Sequence, residues 1–119
     1  MLKLKIGTRG SKLALVQANW VKDGLMEHYG NCQIEIVPIK TAGDRIKRTP
    51  ISQMGGKGLF IKEIEKALIK GEIDLAVHSM KDLPVELPHE LIISAITKRE
   101  DPFDVFISKA YSGIENLPP

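Results

Sequence analysis

Two strand–helix–strand spacings, placed end to end, constrain this chain more than any other feature. Residues 3–7 alternate as a strand does. Ser11 then stands as an N-cap ahead of Ala14, Ala18, Val21 and Leu25, an apolar stripe at helical spacing that Gly30-Asn31 ends. Gln33 to Ile39 predicts a second strand. A strand, a helix and a strand within about 37 residues make a parallel pair with a right-handed crossover. Phe60, Ile61, Ile64 and Leu68 predict a second amphipathic helix closed by Gly71, and Ile73-Asp74-Leu75-Ala76-Val77 predicts a third strand. The crossover therefore repeats. The expected fold class is α/β, a mostly parallel sheet with helices on both faces.

Open sheets of this kind bind ligands beyond the carboxyl ends of their strands, so the residues after each strand matter most. Gly7-Thr8-Arg9-Gly10-Ser11 follows the first, Thr41-Ala42-Gly43-Asp44 the second, and His78-Ser79-Met80-Lys81-Asp82 the third. The last places a Ser, a Lys and an Asp within four positions, a set that is costly to bury and able to do chemistry. Asp82 is the candidate catalytic group. Residues 40–58 carry Gly43, Pro50, Gly55, Gly56 and Gly58 without a clear period, and connections of that length are usually functional or mobile.

Beyond Asp82 the signals are simpler. Pro84 and Pro88 hold an extended linker, Leu91 to Thr97 predicts a fourth strand, and Val105-Phe106-Ile107 starts another. Lys98-Arg99-Glu100-Asp101-Pro102 is the sharpest local change in character. Pro118-Pro119 at the end reads as part of a connection.

Composition excludes several classes. Hydrophobic residues make up 43% and charged residues 27% of the 119, which suits a soluble globular protein and neither a disordered nor a collagenous one. No apolar run is long enough for a membrane span, and the first residues alternate where a signal peptide would be continuously apolar. No membrane association and a cytoplasmic location are expected. A net charge of +2 with 5% aromatic residues lacks the clustered basic and stacking side chains of a nucleic-acid surface. Cys32 is the single cysteine; it has no partner for an internal disulfide and no metal-ligand spacing, and reads as a buried thiol just before a strand. No metal is expected.

Several motifs admit two readings. Gly55-Gly56-Lys57-Gly58 lacks the spacing and the Ser/Thr of a phosphate loop. It and Gly7–Ser11 keep glycine-permitted backbone and a cation beside a helix N-terminus, which favours anions, carboxylates included. Each is equally an ordinary glycine turn. Asp44 can be a turn residue, His78 a hydrogen-bonded structural residue, and Asp82 a cap.

Read together, Gly7–Ser11, Thr41–Asp44, Gly55-Gly56-Lys57-Gly58-Leu59-Phe60, Ala76-Val77-His78-Ser79-Met80-Lys81-Asp82-Leu83-Pro84 and Arg99-Glu100-Asp101-Pro102 resemble porphobilinogen deaminases in order and spacing. These are the hydroxymethylbilane synthases of tetrapyrrole (porphyrin and heme) biosynthesis. The resemblance covers essentially the whole chain as the N-terminal part of such a protein. It implies a three-domain transferase with a fold like that of type II periplasmic binding proteins, residues 1–98 forming domain 1 and residues 99–119 the start of domain 2. The family condenses porphobilinogen units with release of ammonia on a covalently held dipyrromethane, and water releases the linear tetrapyrrole hydroxymethylbilane.

By position, the resemblance makes Asp82 the catalytic aspartate. Loss of ammonia from porphobilinogen leaves a cationic azafulvene, and a carboxylate about 4 Å from it gains on the order of 4 kcal/mol at an effective dielectric near 20, offset in part by desolvation. It implies that Arg9, Ser11, Lys57, Ser79, Lys81 and Asp44 bind the cofactor, and that Arg9, Phe60 and Gln17 bind substrate. Arg9 would take a carboxylate bidentately. Gln53 stands where relatives often carry a lysine. Cys32 does not match the attachment cysteine, which would lie outside this chain. The implied partners are porphobilinogen and the remaining domains of the same polypeptide, in a monomeric enzyme. The 119 residues alone are expected to be inactive. The competing reading is a stand-alone module of periplasmic-binding-protein type that binds a small anion.

Overall fold

The computed structural model describes residues 1–46, 49–53, 56 and 58–119. Among them, β1 (Leu2–Thr8), β2 (Cys32–Pro38) and β3 (Leu75–Ala76) form a parallel sheet in the order β2–β1–β3. Helix α1 (Lys12–Tyr29) starts where the sequence marks it: the Ser11 hydroxyl accepts a hydrogen bond from the Ala14 N–H at 3.3 Å. It ends at Gly30, whose φ of 62° lets the chain turn back and its N–H reach the Met26 carbonyl.

The alternation of β2 sorts its side chains between two small cores, Ile34 and Ile36 to one and Val37 to the other. Ile6 and Ile34 pack on one face with Ala18 of α1, flanked by Leu4, Val21, Leu25 and Ile36. On the other face, Ile64 and Ala67 of α3 (Lys62–Ile69) pack with Ile73, Val37, Ile39 and Ala76. Helices thus cover both faces of the parallel sheet, as expected. Gly7 is where α3's side of the sheet comes closest, since a Cβ there would collide with the Ile73 side chain.

Strand β3 is shorter than the apolar run predicts, and Asp74 explains why. Its N–H donates to the Lys5 carbonyl at 3.0 Å, while its carboxylate accepts the Lys5 N–H at 2.7 Å. A side chain thus continues the pairing where a strand would use backbone. The helix expected from Phe60 begins at Lys62, because Gly58–Phe60 form a turn. Thr41–Asp44, for which a plain turn is one reading of the sequence, opens a four-residue helix, α2 (Ala42–Arg45), through a capping box. Cys32 is half-buried and is the first residue of β2.

The two later strands are not formed. Residues 91–97 and 105–107 have no ladder, and Ile92, Ile96, Val105 and Ile107 are exposed. A strand needs a neighbour to receive its backbone hydrogen bonds and cover its apolar face, and among the described residues nothing pairs with these segments. Between Leu83 and Pro119 the regular structure is one 3-10 turn at Ile114–Asn116.

Candidate functional site

The parallel register brings the ends of all three strands to one edge. Gly7 pairs with Ala76, and the Val77 N–H reaches the Gly7 carbonyl. The Ile39 N–H reaches the Thr8 carbonyl. Arg9 therefore leaves β1 between the segment that follows β3 and the one that follows β2. After β3 the chain closes a 3-10 turn at Met80–Asp82, in which the Asp82 N–H bonds the Ser79 carbonyl, and this turn points the Asp82 carboxylate back toward Arg9.

Arg9 is the centre of the site. Its Nε and Nη2 donate to Asp44 Oδ1 at 3.1 and 2.5 Å, and its Nη1 faces Asp82 Oδ2 at 3.4 Å. The guanidinium carbon lies over the Phe60 ring, 4.1 Å from its centroid, a cation–π arrangement. Asp44 is itself fixed: Thr41, fully buried, donates to its Oδ2 through the hydroxyl at 2.7 Å and the backbone N–H at 3.2 Å. Burial pushes the Asp44 carboxyl up, but the hydrogen bonds from Arg9 and Thr41 outweigh it and hold the group below its ordinary value. Hydrogen bonding to Asp44 in turn raises Arg9. Both groups stay charged across the physiological range.

The contact to Asp82 is of another kind. At 3.4 Å it is long for a charge-assisted hydrogen bond and acts chiefly through charge. Asp82 thus keeps acceptor capacity toward the cleft while a cation stands behind it. The cleft, of about 250 Å³, is lined by Arg9, Ser11, Gln17, His78, Ser79, Lys81 and Asp82. Within it the Ser79 hydroxyl donates to Gln17 Oε1 at 2.8 Å and ties the turn to α1. Lys81 is exposed at the rim. Burial lowers the His78 imidazole below its ordinary value, Asp82 opposing and Arg9 reinforcing that effect, so it is neutral at pH 7.

Six of the residues singled out from sequence therefore share one cleft: Arg9, Ser11, Gln17, Ser79, Lys81 and Asp82. Asp44 and Phe60 hold Arg9. The expectation that Arg9 takes a carboxylate with its fork meets an obstacle, because Asp44 occupies the Nε–Nη2 edge. Lys57 lies outside the described residues, as does Gly55. Sequence reasoning missed Glu63, which accepts the Ala42 N–H at 2.8 Å and so seats α2 against α3. It also missed the Arg9–Phe60 stack. Nothing in sequence spacing joins residues 51 positions apart; the capping pattern of Thr41 and Asp44 was the available signal for α2.

Chemically, the cleft offers one carboxylate acceptor, two cations and two hydroxyls. That set suits a ligand bearing its own carboxylates and N–H donors, or one that develops positive charge. Among the described residues no group of three or more His, Cys, Asp or Glu side chains is placed to hold a metal ion, and no helix is long and apolar enough to cross a membrane.

Comparison with known proteins gives a consistent set. The family model described as "Porphobilinogen deaminase, dipyromethane cofactor binding domain" matches residues 4–119. A porphobilinogen deaminase of Lawsonia intracellularis is 57% identical over 118 residues, 99% of this chain and 38% of that protein. One of Geobacter sulfurreducens is 57% identical over 116 residues, 98% of this chain and 36% of its own length. One of Trichlorobacter lovleyi is 60% identical over 106 residues, 89% of this chain and 34% of its own. The chain thus spans little more than a third of the length of these relatives.

Proposed function

The chain belongs to the porphobilinogen deaminase family, and from that premise we propose that its cleft serves hydroxymethylbilane synthesis: head-to-tail condensation of porphobilinogen with release of ammonia. The observation that carries the proposal is the Asp82 carboxylate, aimed into the cleft and backed at 3.4 Å by an Arg9 that Asp44 has already anchored. When the C–N bond of the protonated aminomethyl group of porphobilinogen breaks, nitrogen takes the bonding pair and leaves as ammonia, and the positive charge passes to the methylene carbon and its pyrrole ring. Asp82 answers that charge, and it accepts the pyrrole N–H while it does so. Because Arg9 is held by Asp44 and Phe60, the carboxylate needs no rearrangement as charge develops.

The residues present fit a dipyrromethane cofactor. Lys81, the Ser11 hydroxyl and the Arg9 N–H groups not taken by Asp44 can hold its acetate and propionate groups, and Asp82 can accept its pyrrole N–H. When bound, the cofactor supplies the terminal pyrrole carbon to which units are added. Cys32 is not the residue that holds it: the thiol begins β2, paired in register with Leu2, at the end of the sheet opposite Asp82. The attachment cysteine belongs to the remainder of a longer polypeptide, as does the rest of the catalytic machinery. The 119 residues alone contribute the carboxylate and part of the anion site.

The test is to incubate the full-length protein that carries this segment with porphobilinogen. The expected result is one ammonia per porphobilinogen consumed and a linear tetrapyrrole by mass. Tight binding of porphobilinogen with no ammonia release would instead indicate an anion-binding module and reject the proposal.

A further inference from the structure

We propose that Asp44 is a positioning residue for Asp82, acting through Arg9 and making no contact with the reacting groups of its own. The inference rests on the functional reading above. A free arginine side chain has four rotatable bonds and can place its charge anywhere on a wide arc. Here the guanidinium has one position. Asp44 takes the Nε and Nη2 donors, the Phe60 ring lies 4.1 Å from the guanidinium carbon, and what remains directed at the 78–82 turn is Nη1, which faces Asp82.

Asp44 is rigid enough to do this. Its carboxylate is held from behind by both the hydroxyl and the N–H of Thr41. The short helix that carries it is pinned by Glu63 at the Ala42 N–H and by the Leu59 carbonyl at the Gly43 N–H. The chain of contacts therefore runs from the base of α3 through α2 and Arg9 to the carboxylate in the cleft. Each link is a hydrogen bond, an ion pair or a stacked face. Asp44 spends its oxygens on Arg9 and Thr41, which leaves it little capacity for a ligand.

A double-mutant cycle in the full-length protein tests this, with porphobilinogen turnover as the readout. Asp44→Asn, which keeps the shape and loses the charge, is expected to lower kcat about 10- to 100-fold. Asp44→Glu should restore much of it, because a carboxylate returns. In an Arg9→Lys background, where the fork is already gone, Asp44→Asn should add less than about 2-fold, because the two residues act as one unit. Effects that multiply in the double variant would overturn the inference, and so would a failure of Asp44→Glu to rescue. If the wild-type protein does not turn over, the functional reading fails, and the side-chain nitrogen NMR spectrum still decides the positioning. A slowly exchanging Arg9 Nε–H lost in Asp44→Asn is expected; an unchanged Nε–H in that variant rejects it.

Discussion

The guanidinium carbon of Arg9 lies 4.1 Å from the centroid of the Phe60 ring, two residues 51 positions apart in the chain and on different elements. The ring covers the guanidinium out of its plane, where its N–H donors make no hydrogen bonds. Phe60→Leu keeps apolar volume but removes the quadrupole. It should cost about 0.5–2 kcal/mol of the hold on Arg9, read in the full-length protein as a few-fold loss of kcat with the fold unchanged by circular dichroism. Wild-type turnover in this variant would mean that stacking does not contribute.

Gly43 is where that arrangement depends on having no side chain. A Cβ there would overlap the Phe60 ring. Gly43 sits in α2 with its φ in the ordinary negative range, so helix propensity alone would favour alanine by about 1 kcal/mol. Overpacking against the ring should reverse the sign, and Gly43→Ala is expected to destabilise by about 1–3 kcal/mol. Chemical denaturation of the two chains decides between these effects.

The Arg9–Asp44 pair also gives a pH dependence with a definite sign. The Asp44 carboxyl is depressed in the folded chain relative to its ordinary 3.8. Its contribution is therefore full above that value and is lost as pH falls through the lower folded value. The stability difference between wild type and Asp44→Asn should be constant from neutral pH down to about pH 5 and shrink below pH 4. A difference that stays constant below pH 4, measured by denaturant titration at several pH values, would contradict it.

The sheet and its helices could be read from sequence because each rests on local chemistry: the alternation of β1, the Ser11 cap, the stripe ending in Ala18, Val21 and Leu25. The cleft could be placed as well, since parallel strands send residues such as Arg9 and Asp82 to one edge whatever the details. What was not legible depends on contacts between distant segments. Leu91–Thr97 and Val105–Ile107 have strand-forming side chains, yet a strand also needs a neighbour, and sequence pattern says nothing of whether one is at hand. Asp74 lies in the predicted third strand, yet its carboxylate, not its backbone carbonyl, accepts the Lys5 N–H. The pairing of Asp44 with Arg9, 35 positions away, likewise had no signal in sequence spacing.

The most direct test of the account concerns Asp82. Asp82→Asn in the full-length protein preserves shape and one acceptor oxygen but removes the charge that faces the developing cation. Its kcat with porphobilinogen should fall by roughly 10²–10³, with the melting temperature close to that of the wild type. Turnover within a few-fold of wild type would remove Asp82 from the mechanism and, with it, the role assigned here to the Arg9 and Asp44 behind it.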